Sequence, residues 1–520
     1  MKAPRRACLV SRFELGVVGP LPEHPMMTRN AALEAGADEF DVAIVGGGVS
    51  GAAVYRELCA RGYRVLLVDR GDFASGTSQS SGMLVWGGLL YLRNLDLATV
   101  WKLCKARDRW LAEDPGKVET LRFRYMPLRK GGRNRRLVQA ALYSYWLLGR
   151  RRRRRPATER DFDAKSLLEL GRFGTSLVYE EACLPDSDSR CVLSWITGYS
   201  GPGHVALNHC ELRAARFESD GRGWHLELHD RLGNRRSVAR ARMLVNAAGV
   251  WAERVSEFCG LRLRYRHVLS KGVYLAFRRP EELREGLAFE MQQYGDSQTF
   301  TPWGPVALWG PTESLAREIQ SGFTPEVSDI RFLLSQANAN LRAKRGVEDI
   351  VSLRCGIRPL AVERAFTRKV YPLDLSRRHF VARDPLLPAV TIFGGKFTSA
   401  QAVARECLRR VREHIEPRGV AESPTFKAPA LTLRFPGLDA ALPDPDWCVE
   451  HESCATLDDY LRRRTNIAQW VACLGLGETQ QHLPEISAIA ERVCAPGTAA
   501  VAMAALQREA QTQARLLAQV

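Results

Sequence analysis

Gly46-Gly47-Gly48-Val49-Ser50-Gly51 restricts what this chain can fold into more than any other segment. It follows a short, β-branched apolar run, Asp41-Val-Ala-Ile-Val45, and precedes helical periodicity through Ala52, Ala53, Tyr55 and Leu58. A second apolar run, Val65-Leu-Leu-Val68, ends in Asp69. Strand, tight turn, helix and second strand open a parallel α/β unit. In the G-x-G-x-x-G pattern the first glycine permits the sharp turn, and the second lets backbone N–H groups approach a diphosphate. The third lets helix and strand pack closely. A diphosphate would sit on the helix N-terminus, where unpaired N–H groups and the helix dipole favour negative charge. Asp69 is the expected acceptor for a ribose hydroxyl. With all these parts in register the segment reads as a dinucleotide site; the alternative is a glycine-rich turn without a ligand.

The stretch after Asp69, from Gly71 to Gly82, is rich in small hydroxyl residues, including Ser75, Thr77, Ser78, Ser80 and Ser81. Such a loop supplies short donors beside a flavin and its ribityl chain, which favours FAD over NAD; a polar surface loop is the other reading. Residues 96–150 read mostly as helix, and alternating, Gly-punctuated segments run over 175–310. A helix is expected near Asp329–Arg345, a strand at Ala389–Phe393 and a helix from Thr398 to Ile415. A Pro-containing linker covers about 417–446, and the chain reads as helical from Thr456, where Thr456-Leu-Asp-Asp459 resembles a capping box.

A chain of 520 residues has room for two or three domains, and 45% hydrophobic with 26% charged residues argues against wholesale disorder. Lys and Arg number 75 against 58 Asp and Glu, a net charge of +17, and six of the positive charges are the unbroken run Arg150–Arg155. That balance calls for an anionic partner: a phosphorylated substrate, an acidic membrane surface or nucleic acid. The 13 cysteines are scattered and never spaced C-x-x-C, so neither a disulfide framework nor a metal site is expected, and a reducing cytosol is the natural compartment. No apolar run approaches the roughly 18 residues of a transmembrane helix. Residues 1–38 carry no clean secretory pattern and read as a disordered tail, with Met26 or Met27 as an alternative start.

Further motifs complete the pattern: Thr77-Ser78, Gly87-Gly88-Leu-Leu-Tyr91-Leu92, Leu244-Val-Asn246-Ala-Ala-Gly249-Val-Trp251, Gly356-Ile-Arg358-Pro-Leu360, Phe393-Gly-Gly-Lys396-Phe-Thr398 and Thr456-Leu-Asp-Asp-Tyr-Leu-Arg-Arg-Arg-Thr465. In this order and spacing, over about residues 39–515, the chain resembles the FAD-dependent glycerol-3-phosphate dehydrogenase family, within the amine- and alcohol-oxidising flavoproteins. The resemblance implies an α/β fold: a Rossmann-like FAD-binding domain interleaved with an antiparallel-sheet substrate domain, plus a C-terminal helical domain. The core would span 39–430, with FAD segments at about 39–110, 180–260 and 350–416 and the substrate domain at 261–349. The helical domain would occupy 431–520. FAD would be held by Gly46, Gly48, Val49, Ser50, Gly51, Asp69 and Arg70. Thr77, Ser78, Ser81, Gly87 and Gly88 would join them, followed by Ala248 and Gly249 and by Gly394, Gly395, Lys396 and Thr398.

The resemblance further implies hydride transfer from a secondary alcohol to the flavin, with Arg358, Lys396 and Tyr91 as catalytic residues. N–H groups at Gly394-Gly395 and a positive charge on Lys396 would face the negative end of the reduced flavin. Several substrate positions depart from the family. Its His in H-G-G is Trp86, its phosphate-binding Arg is Leu90, its lysine before that motif is replaced around Met83, and the His of K-G-S/T-H is Tyr274. The G-T-T-D segment reads Gly310-Pro-Thr-Glu313. Loss of a guanidinium that pairs with phosphate through two N–H bonds points to an altered pocket, and with both histidines gone no base is identified. Two other functions stay open: an amine or amino-acid oxidase in which Arg358 holds a carboxylate, and a diverged flavin-binding protein.

An apolar helix face of Leu137, Ala140, Ala141, Tyr145 and Leu148 runs into the arginine run, a combination suited to docking on an anionic membrane. The family implication is a peripheral enzyme of glycerol metabolism on the inner face of the cytoplasmic membrane, passing electrons to quinone. A solvated loop is the plainer reading of the run, and nucleic acid is disfavoured because no recognition module surrounds it.

Overall fold

The computed structural model describes residues 39–199, 203–218, 222–290, 297–366, 372, 375 and 377–520; the tail expected over 1–38 lies outside the described residues. The segment around the glycine turn forms the strand Glu39–Val45, the helix Val49–Cys59 and the strand Val65–Val68. The two strands pair in parallel from Val42–Val65 to Val45–Val68. They lie inside a sheet ordered His379–Arg383, Ala389–Gly394, Arg235–Asn246, Glu39–Val45, Val65–Val68, His204–Leu207. Along this path the neighbours run parallel except His379–Arg383, and the same sheet continues off Arg235–Asn246 through two antiparallel strands, Gly223–Asp230 and Cys210–Glu218. Val42, Ile44, Val65 and Leu67 pack on one face against Val54, Leu58 and Val403, while Ala43, Val45, Leu66 and Val68 share the other with Leu212 and Trp224. Burial on both faces is why these strands read as continuous apolar runs rather than alternating ones.

The second sheet has ten strands and is largely antiparallel, with Ile350–Glu363 and Tyr265–Arg278 as its longest pair. It reaches well beyond 261–349: it also takes Leu84–Val85, Glu119–Met126, Ala157–Glu159, Ser176–Cys183 and Ile350–Glu363. Residues 350–363, expected in the flavin unit, therefore belong to this second sheet. Residues 96–150 are not one helical stretch either, because Glu119–Met126 separates the helices Leu97–Glu113 and Arg135–Leu148. Leu121, Phe123 and Tyr125 alternate there with Arg122 and Arg124, a period of two. Arg124 nonetheless lies inside, donating to Glu285 Oε1 at 2.6 Å and Ser176 Oγ at 2.8 Å.

The C-terminal region is helical, with a core of its own that includes Tyr460, Leu461, Ile467, Ile486 and Ile489. Its capping box is present: Asp459 N–H donates to Thr456 Oγ1 at 3.2 Å and Thr456 N–H to Asp459 Oδ2 at 3.0 Å. Among the described residues no helix is long and apolar enough to cross a membrane.

Candidate active site

A cavity of about 1410 Å³ is lined by both separated glycine turns. Gly46, Gly48, Val49 and Ser50 form one wall, followed by Asp69, Arg70 and the loop Ser75–Gly82, then Ala248 and Gly249, and finally Gly394, Gly395, Lys396 and Thr398. Gly51 does not line it. A Cβ at Gly51 would stand 1.8 Å from the Gly46 carbonyl oxygen, so this glycine lets the helix meet the turn.

Asp69 holds the turn with both carboxylate oxygens: Gly47 N–H donates to Oδ2 at 2.7 Å and Gly71 N–H to Oδ1 at 2.9 Å. Burial raises its pKa to about 6 against the downward pull of those N–H groups. The hydroxyl-rich loop is pinned by protein partners. Val49 N–H donates to Ser78 Oγ at 2.9 Å, Thr77 Oγ1 donates to the Ile357 carbonyl at 2.7 Å, and Ser81 N–H donates to Asp188 Oδ2 at 2.9 Å. Thr77 and Ser78 are thus committed through their side chains and Ser81 through its amide. The Arg70 guanidinium lies 4.8 Å from the centre of the Trp251 ring. Gly88 lines the cavity, but Gly87 does not: its N–H donates to buried Glu181 at 3.0 Å, and a Cβ there would meet the Tyr145 hydroxyl at 2.0 Å.

At the second turn Gly394 and Gly395 adopt φ of 67° and 98°, the left-handed region that glycine enters without strain. Gly394 N–H donates to His267 Nε2 at 3.2 Å. Burial pushes the His267 pKa down to about 4, so the ring stays neutral and keeps this nitrogen as an acceptor. Lys396 follows, its Nζ 4.2 Å from the centre of the Tyr91 ring. Burial, with the positive charges of Arg377 and Arg358 nearby, holds the Lys396 ammonium well below the usual lysine range. The full positive charge expected on Lys396 is therefore opposed by its surroundings. Burial likewise raises the Tyr91 phenol to about 12, which keeps it protonated.

Arg358, Lys396 and Tyr91 do meet in the cavity, and two further side chains join them. Glu313 Oε2 accepts from Arg358 Nη1 at 3.1 Å and from Arg377 Nη2 at 2.9 Å, and Ser270 donates its hydroxyl to Glu313 Oε1. Burial raises the Glu313 carboxyl, but the charges of Arg358 and Arg377 outweigh it and leave the group ionised. Arg377 escapes sequence reading because nothing in Ser376-Arg377-Arg378 separates it from the other basic residues; His267 carried no signal either. Of the departing positions, Trp86, Leu90 and Tyr274 line the cavity, whereas Met83 is buried in the core.

The helix Arg135–Leu148 does not present the whole of its expected apolar face outward, because Tyr145 of that face turns inward. Leu142 and Tyr145 are its buried residues, whereas Leu137 and Leu147 are exposed. Tyr145 draws that face in by accepting from Arg107 Nη1 at 2.9 Å and donating to Glu181 Oε1 at 2.5 Å. The arginine run is an exposed turn and loop with aromatic contacts: Arg150, Arg151 and Arg155 lie over Trp101, Trp146 and Tyr143, and the Trp146 indole donates to the Arg153 carbonyl at 2.8 Å.

Backbone donors at two glycine turns, a carboxylate at the end of the second strand and cationic groups beside the second turn suit a long dinucleotide with an anionic middle and an electron-accepting ring, as in FAD. The model of the family described as FAD dependent oxidoreductase matches residues 41–406. Glycerol-3-phosphate dehydrogenase of Pseudomonas aeruginosa is 29% identical over 403 residues, covering 76% of this chain and 75% of that protein. D-erythritol 1-phosphate dehydrogenase of Brucella abortus is 29% identical over 387 residues, covering 73% and 74%. The structure of glycerol-3-phosphate dehydrogenase from Bacillus halodurans, complexed with FAD, superposes with a TM-score of 0.68 at 19% identity, covering 94% of this chain and 97% of that one.

Proposed function

The chain belongs to the FAD-dependent oxidoreductase family, and from that premise we propose that it oxidises the secondary alcohol of a small hydroxy compound carrying an anionic group, a polyol phosphate first among them. The observation that carries this reading is the convergence of Arg358 and Arg377 on Glu313 beside Lys396, at the end of the cavity where the second glycine turn lies. Relatives named for glycerol 3-phosphate and D-erythritol 1-phosphate support the substrate class. Two guanidinium charges less one carboxylate leave about one positive charge, and Trp86, Leu90 and Tyr274 supply apolar and aromatic surface. The pocket is therefore altered towards a larger or less charged substrate than glycerol 3-phosphate.

Bound FAD supplies the hydride acceptor. The hydroxyl proton must leave as the hydride departs, and Lys396 Nζ, held below the ordinary lysine range, is the base that takes it. Arg358 stabilises negative charge developing on the alcohol oxygen. Tyr91 stays a phenol and orients the substrate. Asp69 would hold the adenosine ribose, while the N–H groups at Gly48 and Ser50 would hold the diphosphate, the Val49 N–H being taken by Ser78 Oγ. Gly394, Gly395 and Lys396, which line the cavity at the second turn, would hold the flavin end of the group. Anaerobic mixing of the FAD-loaded protein with polyol phosphates, neutral polyols and amino acids tests the substrate class. Bleaching by hydroxy compounds supports it, whereas bleaching by amino acids alone, with hydrogen peroxide formed in air, supports an amino-acid oxidase.

We also infer that the protein docks on an anionic membrane and passes its electrons to quinone there. Exposed Leu95, Leu97, Leu137 and Leu147 lie on segments that pack together, next to exposed Arg150–Arg152. Apolar side chains beside a cluster of cations match the boundary between headgroups and acyl chains.

A further inference from the structure

Asp72 is the one carboxylate of the flavin-side loop Gly71–Gly82, and it does not line the cavity. It lies only 1% exposed against the C-terminal helices. It accepts from Arg463 Nε at 2.6 Å, from Arg464 Nη1 at 2.6 Å and Nη2 at 2.9 Å, and from Asn208 Nδ2 at 2.8 Å. Arg463 Nη1 also donates to Gln79 Oε1, further along the loop, at 2.9 Å. A third grip falls on Ser81. Buried Arg354 donates to the Ser81 carbonyl at 3.2 Å and to Asp188 Oδ2 at 2.8 Å, the same oxygen that accepts Ser81 N–H, and its other terminal nitrogen donates to Gln469 of the C-terminal helices.

A buried ion cluster adds little net stability over apolar packing of the same volume, but it fixes geometry, because each charge must keep its partner. The cluster here fixes the loop that carries Ser78 to the Val49 amide and Thr77 to the second sheet. We propose that the C-terminal helical region is a latch on the cofactor. Arg463 and Arg464, acting through Asp72 and Gln79, hold the loop in the shape that encloses the flavin chain, and FAD leaves only when that latch loosens. Both arginines are positioning residues, and the inference rests on the reading that FAD lies along this loop. Coupling of this kind is reciprocal: FAD tightens the latch by the same factor as the latch tightens FAD.

The test uses the full-length protein in four forms: wild type, Gln79→Ala, Arg464→Gln, and Asp72→Asn combined with Arg464→Gln. In the double variant Arg463 keeps Asp458 and Asp459 as partners. FAD dissociation is followed by the recovery of flavin fluorescence, and thermal midpoints are measured for apoprotein and FAD-saturated protein. The latch requires FAD affinity to fall about tenfold or more in both Arg464 variants and about threefold in Gln79→Ala, with a smaller FAD-induced rise in midpoint. Affinities within twofold of wild type, or apo and loaded midpoints falling by equal amounts, overturn it. If Arg464→Gln fails to fold, Gln79→Ala still decides. Wild type that takes up no FAD overturns the flavin reading itself, a result distinct from failure of the latch alone.

Discussion

The guanidinium of Arg358 lies across Gly272: a Cβ at that glycine would stand 2.3 Å from Nη2 and 2.6 Å from Nη1. Gly272 pairs in register with Gly356, two residues before Arg358, so the neighbouring strand leaves room for the side chain to fold back over it. Gly272→Ala should therefore displace the guanidinium while leaving the sheet paired. The expected outcome is a loss of roughly 100-fold in kcat/KM, with a stability cost of about 1–3 kcal/mol from overpacking. An unchanged kcat/KM would show that the arginine does not act on substrate.

Lys396 sits where the Tyr91 ring favours its charge and burial with two guanidiniums opposes it. One ring contributes about 0.5–2 kcal/mol, less than the opposing influences together, and the pKa falls. Lys396→Met should slow flavin reduction by about 10²–10⁴ while changing FAD affinity only slightly. A base acts when neutral, so the wild-type reduction rate should rise with pH and level off above the lowered pKa of Lys396. Stopped-flow reduction across pH checks both, and a flat profile would remove Lys396 as base.

Asp69 should make FAD binding weaken in acid. Its pKa in the folded chain is raised to about 6 by burial, so the group is protonated below that pH and ionised above it. FAD uses the ionised form as ribose acceptor, and affinity should drop as pH falls through 6, with one proton taken up on release. Asp69→Ala should weaken binding by about 1–3 kcal/mol at neutral pH, and fluorescence titration measures each.

Leu90 is 41% exposed and lines the cavity, so an arginine there would lose little hydration. Leu90→Arg should lower KM for glycerol 3-phosphate about tenfold, since a bond to a charged group contributes roughly 1.5–3 kcal/mol. Steady-state kinetics with the phosphate ester and with glycerol separates a gain in charge recognition from a general effect.

Arg150→Gln, Arg151→Gln and Arg152→Gln combined should weaken binding to phosphatidylglycerol vesicles by about 3 kcal/mol, at about 1 kcal/mol per cation near the surface. Vesicle sedimentation should show the loss, and neutral vesicles should bind neither form.

What could be read from the chain were the local patterns with one physical solution. The strand ending at Val45 and the helix start at Val49 obey short-range geometry, and Thr456 with Asp459 forms the cap that its spacing implies. The strand Glu119–Met126 was hidden because its alternation is brief and its buried Arg124 mimics a surface residue. Arg377, His267 and the Arg464–Asp72 bond depend on contacts between residues 64 to 392 positions apart, which no local period encodes. Gly87 and Gly51 show the converse: both stand in glycine motifs, yet each serves close packing behind the cavity wall.

A crystal structure of the FAD-loaded protein tests most directly whether the two glycine turns share one cofactor. The diphosphate should lie against Gly48, Val49 and Ser50, and the flavin ring against Gly394, Gly395 and Lys396 with Tyr91 and Arg358 over its reacting face. A protein that takes up no FAD, or a flavin ring placed away from Lys396, would contradict it.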